Sequence, residues 1–152
     1  MNADERAELV RLYREGPAAV RDALEGITSQ ELDHSSGDEW SPRQVVHHLA
    51  DSEMTSAIRI RKLLAEDNPV IYGYDEKTFA HRFSLDRPIE SSLQAFEAAR
   101  ATTAEILERL ADEDWSRRGW HTESGPYGVE TWLRIYAAHG HDHAEQIRRA
   151  RG

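Results

Sequence analysis

Four stretches of the chain carry apolar residues three and four positions apart, and this spacing constrains the fold more than any other feature of the sequence. The stretches are residues 4–25, 42–66, 89–110 and 129–149. Side chains at this spacing share one face of an α-helix, so each stretch predicts a helix with one face to bury. Long connections, residues 69–88 and 112–128, separate the last three. The pattern predicts an all-α protein, an antiparallel four-helix bundle with long crossover loops.

Capping signals place the helix boundaries. Ser41–Gln44 combines a capping serine, a proline suited to the first helical position and a glutamine that completes a capping box. Thr28–Glu31 offers a second capping box for one short turn. Gly16-Pro17 predicts a kink in the first helix or its division into two. Trp40 lies just before the second long helix, where it is suited to a hydrophobic staple.

Composition limits the class of protein and its partners. The chain has 152 residues, which is the size of a single domain, and we assign residues 1–152 to one. With 28 acidic and 19 basic residues the net charge is −9, which argues against a nucleic-acid partner. No apolar run approaches the roughly 20 residues that span a bilayer, so we expect no membrane partner and a cytoplasmic location. Because the chain has no cysteine, any metal must be held by nitrogen and oxygen.

Two histidines near the C-terminus have the spacing of metal ligands. His139 and His143 are four residues apart, so they lie one above the other on the last helix. A pair placed this way can hold one divalent ion. Their stripe is otherwise apolar, with Trp132 and Ile147, and buried imidazoles need hydrogen-bond partners or a metal. The alternative interpretation is a pair of partly exposed histidines, or core histidines satisfied by hydrogen bonds.

A second pair of histidines lies on the helix that follows Ser41. His47 and His48 are consecutive and point about 100° apart, so only one can face the bundle axis. His47 shares a face with Arg43 and Asp51, a solvated pattern, and we therefore predict His48 as the inward ligand. The predicted inward face comprises Val45, His48, Leu49, Ser52, Ile58 and Leu63. His48, His139 and His143 together predict an open three-histidine metal site.

The predicted donor set indicates what such a site would do. Three imidazoles suit Zn²⁺ first and also Ni²⁺, with at least one position left open. Water bound there can have a pKa near 7, and a thiol can instead bind as thiolate. Candidates for orienting the imidazoles are Glu53, Asp142, Glu145 and Gln146, each of which is equally compatible with an ordinary solvated side chain.

The two histidine motifs together resemble a known family. Trp40–Ser52 is similar to the first histidine motif of the DinB/YfiT-like metalloprotein superfamily, and Tyr136–His143 is similar to its last. Glu66–Pro69 and Tyr74–Lys77 resemble the YfiT branch, and the likeness covers roughly residues 5–150. It implies a four-helix bundle with a three-histidine metal centre. By position, its ligands are His48, His139 and His143.

The same resemblance implies a range of activities. Members of the family are labelled metal-dependent hydrolases, and related members are transferases and isomerases that use bacillithiol or mycothiol. Homodimers are common among them. We therefore expect an enzyme whose metal activates water or a low-molecular-weight thiol cosubstrate for attack on a small electrophilic substrate. The alternative is a non-catalytic, metal-stabilised binding or stress-response protein, in which a fourth protein ligand is expected to close the site.

Overall fold

The backbone is mostly helical and carries one small sheet. The computed structural model describes residues 1–151. The helices are α1 (Ala3–Leu24), α2 (Ser29–Leu32), α3 (Pro42–Ala65), α4 (Glu76–Ser84), α5 (Glu90–Leu107) and α6 (Val129–Arg151). The strands are β1 (Val70–Ile71), β2 (Arg118–His121) and β3 (Gly125–Gly128), and a 3₁₀ turn covers Asp112–Ser116. Helices α1, α3, α5 and α6 pack together, which confirms the predicted four-helix bundle. Within residues 1–151, no helix is long and apolar enough to cross a membrane.

The first and last helices run side by side in the same direction. Near the starts of α1 and α6, the Arg6 guanidinium lies 3.1 Å from the Glu130 carboxylate. Near their ends, Arg151 donates a hydrogen bond of 2.8 Å to the carbonyl of Ala23. Contacts at matching ends show that the two helices are parallel. The last helix of the chain therefore packs beside the first.

Helices α3 and α5 form a second parallel pair. His47 contacts Ser92 near the starts of both helices, and Arg61 contacts Thr103 further along both. This pair runs opposite to the first, because Arg14 of α1 pairs with the distal end of α5 and Arg21 pairs with its start. The long connection between α3 and α5 is therefore a true crossover. It contains one short helix, α4.

Local signals in the sequence predicted the starts of helices α2 and α3. Both predicted capping boxes form, with Thr28 and Ser41 as the capping residues. Helix α1 passes through Pro17 as one helix rather than two. At Gly16, the backbone of α1 lies against Gly140 of α6 and against the Arg100 guanidinium of α5. A Cβ at Gly16 would overlap that guanidinium. Glycine at this crossing is needed for close helix packing.

The connection over residues 112–128 is more regular than predicted. We expected a loop, but it holds a 3₁₀ turn followed by the β2–β3 hairpin. Strand β2 pairs antiparallel with β3 and parallel with the two-residue strand β1. Gly125 turns the hairpin with a φ of +80°, a conformation that glycine adopts without strain. Strands of two to four residues are too short to show an alternating apolar pattern, so the sequence did not reveal them.

A buried ion pair joins all four long helices at the centre of the bundle. Arg100 of α5 is 1 % exposed and donates from Nε to Glu53 of α3, which is fully buried, at 2.9 Å. The Tyr13 hydroxyl of α1 donates to the other carboxylate oxygen of Glu53. The two remaining guanidinium nitrogens donate to the carbonyls of Tyr13 and Tyr136, each at 2.7 Å. Each of the three guanidinium nitrogens of Arg100 therefore has an acceptor inside the core.

We predict that Arg100→Met destabilises the protein by about 3–5 kcal/mol, because it leaves the Glu53 carboxylate buried without its counter-charge. Urea unfolding of the variant measures this loss. Arg21→Met is the matched control, since it removes an exposed ion pair, and we expect it to cost at most about 1 kcal/mol. Equal losses of unfolding free energy in the two variants would show that the buried ion pair stabilises the fold no more than an exposed one.

Candidate metal centre

Three histidines from two antiparallel helices meet on one side of the bundle. The Nε2 atom of His139 lies 3.4 Å from Nε2 of His48 and 3.1 Å from Nε2 of His143. One ligand atom from each of the three lies within 4.8 Å of the other two. Nitrogens that bind one ion tetrahedrally at 2.0–2.1 Å are about 3.3 Å apart. The triad therefore has the spacing of a metal site, and it brings together the three histidines selected from the sequence.

The three imidazoles are held in the neutral form that binds metals. Burial lowers the pKa of His48 to about 3, and repulsion by His143 adds to the effect. Burial lowers the pKa of His139 to about 2, with further repulsion from His143 and His48. The pKa of His143 is lowered as well, again mainly by burial. Each ring therefore offers a lone pair at neutral pH, and no proton has to be removed before a cation binds.

A neighbouring amide orients one of the rings. Nδ1 of His143 lies 2.7 Å from the Gln146 side-chain oxygen, which can only accept, so Nδ1 carries the proton. The lone pair of His143 is thereby directed from Nε2 into the cluster, as in sites where an outer partner fixes the tautomer. Nδ1 of His139 is buried and has no hydrogen-bond partner within residues 1–151. The polar contacts of the His139 ring are therefore those of Nε2 with His48 and His143.

The other residues considered for orienting the rings have different roles. Glu53 bonds Tyr13 and Arg100 rather than an imidazole, because it lies five residues after His48 and so on a different side of α3. Asp142 is exposed and affects His143 only through its charge. Glu145 pairs with Arg148 on the surface. Gln146 is thus the only one of the four candidates that bonds an imidazole of the triad.

Aromatic rings enclose the triad on two sides. Trp40 lies with its ring centroid 4.8 Å from that of His48 and stacks on His143 at 6.5 Å. Its indole therefore covers the cluster as well as the start of α3. On the opposite side, the Tyr136 ring lies 5.7 Å from the His139 ring. These rings exclude water from part of the site and account for the burial that keeps the imidazoles neutral.

The prediction for His47 was wrong. Its side chain is fully buried rather than solvated, with Nδ1 2.7 Å from the Ser92 hydroxyl and Nε2 3.1 Å from the Arg87 carbonyl. Helix α5 and the residues before it cover this face of α3, which the sequence of α3 alone does not indicate. Ile58 was also assigned wrongly to the inward face, since 60 % of it is exposed.

Two further histidines lie outside the triad. His121 is buried at the end of β2, where Nδ1 accepts a hydrogen bond from the backbone of Glu123. His141 donates from Nε2 to the carbonyl of Leu12 at 2.9 Å and so ties α6 to α1. These hydrogen bonds give both histidines a structural role outside the triad.

A polar cluster beside the triad was not predicted from the sequence. Arg59 of α3 donates to the Tyr136 hydroxyl at 3.0 Å and to the Tyr72 carbonyl at 2.7 Å. Its guanidinium lies 6.0 Å from the centre of the Tyr74 ring. Tyr72 and Tyr74 belong to the crossover connection, which carries no periodic pattern, so only the fold brings them to α3.

Comparison with known proteins agrees with this geometry. Residues 12–147 match the family model described as the DinB superfamily. The chain belongs to the DinB superfamily. A relative from Oceanobacillus iheyensis, provisionally named a metal-dependent hydrolase, is 38% identical over 133 residues, which cover 86% of this chain and 77% of the relative. YfiT from Bacillus subtilis, which carries the same provisional name, is 31% identical over 150 residues, which cover 97% of this chain and 84% of YfiT.

The fold matches a solved member of the superfamily. The structure of YfiT from Bacillus subtilis aligns with a TM-score of 0.92 at 31% identity, over 99% of this chain and 87% of that one. It is described as a probable metal-dependent hydrolase with an unusual four-helix bundle topology. The resemblance inferred from the histidine motifs and the four-helix bundle are therefore both confirmed.

We predict that the metal-free protein loses stability as the pH falls below about 6.5. Histidines with lowered pKa values bind protons more readily in the unfolded chain, so the loss continues from about 6.5 towards 3, the pKa of His48. Each such histidine lowers the free energy of unfolding by at most about 1.4 kcal/mol for each pH unit of acidification. Urea titrations of chelated protein between pH 7 and 4.5 measure the slope. A His48→Leu/His139→Leu variant should have a flatter slope, and an unchanged slope would contradict the neutral triad.

Proposed function

We propose that this protein is a metal-dependent enzyme whose site is formed by His48, His139 and His143. The observation that carries the proposal is the convergence of three neutral Nε2 atoms from two helices, at the spacing of a single ion's ligands. Zn²⁺ suits this donor set first, and Ni²⁺ is the alternative. The names of the relatives, which refer to metal-dependent hydrolysis, support the same proposal.

The reaction that we propose is attack on a small electrophilic substrate by water or by a low-molecular-weight thiol. A divalent ion with an open position supplies Lewis acidity and lowers the pKa of bound water to about 7, or stabilises a bound thiolate. The protein's own residues hold and orient this centre. Gln146 fixes the His143 tautomer, and Trp40 shields His48 and His143 from solvent on one side. The hydrolase and the thiol transferase use the same ligands and differ only in the nucleophile.

The composition of the cluster favours catalysis over a purely structural metal. A structural zinc site is normally closed by four protein ligands. Within the described residues, the cluster of metal-ligating groups contains three histidines and no carboxylate. This leaves a position for water or substrate, whereas the metal-stabilised binding or stress-response protein requires a fourth ligand.

The assembly that we propose is a homodimer. An exposed apolar patch beside β1 supports it, made of Met54, Ile58, Val70 and Tyr72, which are 42–69 % exposed. Light scattering on the purified protein checks the assembly. The cytoplasmic location remains a prediction from the sequence.

We expect about one metal per chain in protein purified without chelator, and loss of that metal in His48→Ala and in His139→Ala. Elemental analysis of the three proteins, beside their circular dichroism, measures this. His141→Ala is the matched control, because His141 lies on the same helix but bonds Leu12 instead of facing the triad. A folded wild-type protein that takes up neither Zn²⁺ nor Ni²⁺ would refute the proposal.

We predict that the metal keeps an exchangeable position. In protein loaded with Co²⁺, added azide should replace a non-protein ligand and change the visible ligand-field spectrum with a saturable dependence on concentration. A structural site closed by four protein ligands would leave the spectrum unchanged at any azide concentration. This second outcome would favour the non-catalytic alternative even if the metal content were one per chain.

A further inference from the structure

Three hydrogen-bond donors beside the triad have no acceptor. The Arg59 Nε atom and the Tyr74 hydroxyl are both buried and have no hydrogen-bond partner within residues 1–151. The Tyr136 hydroxyl accepts from Arg59 but donates to none of the described residues, and Tyr136 is only 5 % exposed. Buried donors without acceptors are unusual in folded proteins, because each has lost its hydrogen bonds to water. Such an excess of donors favours a bound acceptor.

The donors lie together and next to the metal centre. The Arg59 guanidinium contacts the Tyr136 hydroxyl at 3.0 Å and lies 6.0 Å from the centre of the Tyr74 ring. The Tyr136 ring is 5.7 Å from that of His139. Burial raises the pKa of Tyr74, and the neighbouring Ser52 hydroxyl, one turn after His48, opposes the rise, although the two oxygens do not meet hydrogen-bond geometry. The cluster therefore adjoins both ligand helices.

The charge of Arg59 is not used by an ion pair. Asp51, Glu76 and Glu123 are the carboxylates near this region. Burial raises the pKa of Glu76, and the nearby charge of Arg59 opposes that rise. Within the described chain none of these three carboxylates hydrogen-bonds the guanidinium or lies within 4.0 Å of it, and the buried Oδ2 atom of Asp51 has no hydrogen-bond partner. Arg59 is instead bound to one hydroxyl and one carbonyl, both neutral. Its positive charge thus remains available to a ligand.

We propose that Arg59, Tyr74 and Tyr136 form a subsite for a carboxylate group on the substrate. A carboxylate only accepts hydrogen bonds, so it complements a cationic Nε–H and two phenolic hydroxyls. The inference rests on the proposed function, since the reactive end of the same molecule would lie at the histidine triad. Arg59, Tyr74 and Tyr136 are then positioning residues that hold the substrate's far end.

Binding of two-headed ligands tests the subsite. Hydroxamates chelate divalent metals, so Co²⁺-loaded protein is titrated with acetohydroxamate and with ω-carboxy hydroxamates that carry two to five methylenes, and the visible spectrum is followed. We expect at least one chain length to bind about tenfold or more tightly than acetohydroxamate, since hydrogen bonds to charged groups are among the stronger ones. Arg59→Gln and Tyr74→Phe should remove this advantage and leave the affinity for acetohydroxamate unchanged.

The control and the outcomes separate the subsite from the metal centre. Arg61→Gln serves as the control, because Arg61 lies on the same helix but bonds Ala57 and Thr103 away from the triad. If every carboxylate tail binds no better than acetohydroxamate, or if the advantage survives both variants, the subsite is refuted while the metal centre stands. If acetohydroxamate itself fails to change the spectrum of the wild-type protein, the proposed metal centre fails instead.

Discussion

The ion pair between Arg100 and Glu53 is the interaction on which the rest of the structure depends. A guanidinium and a carboxylate that are both almost fully buried must find all their hydrogen bonds inside the core, because losing one partner leaves an uncompensated charge. The ion pair and its bonds to Tyr13 and Tyr136 come from all four long helices. These bonds tie the relative placement of the four helices to one another.

This placement sets the geometry of the metal centre. Glu53 follows His48 on α3 by little more than one turn, and the carbonyl of Tyr136 that Arg100 binds precedes His139 on α6 by less than one turn. Holding Glu53 and that carbonyl on one guanidinium therefore fixes the register between the two ligand helices. The bundle itself thus brings the three histidines together, and burial holds the His48 and His139 imidazoles in the neutral form.

The convergence of the three histidines could be predicted from the sequence, because the pattern that indicates it lies within single helices. Histidines four apart on an amphipathic helix share a face, and the apolar neighbours of His48 mark its side of α3. The burial of His47 could not be predicted in this way, since it depends on Ser92 and Arg87, which lie more than one helix away in sequence. Whether a polar residue is solvated or buried is decided by what packs on it.

The same distinction explains the other differences. Glu53 looks like a charge near the histidines, but its partner Arg100 lies on another helix and no pattern links the two. The short strands have too few residues for an alternating signal. Tyr74 of the proposed subsite belongs to the crossover connection, whose path is set by the need to return along the bundle between two parallel helices. These features depend on contacts between residues that are distant in sequence, which the apolar periodicity of a single segment does not reveal.

X-ray absorption of the Zn²⁺-loaded protein at the metal edge tests the central claim most directly, because it counts the ligands of the bound ion. We predict three imidazole ligands with Zn–N distances of about 2.0–2.1 Å, plus at least one oxygen that does not come from the protein. The imidazole count should fall in His143→Ala. Two or fewer imidazoles in the wild-type protein, or a shell completed by a protein carboxylate, would contradict the open three-histidine centre.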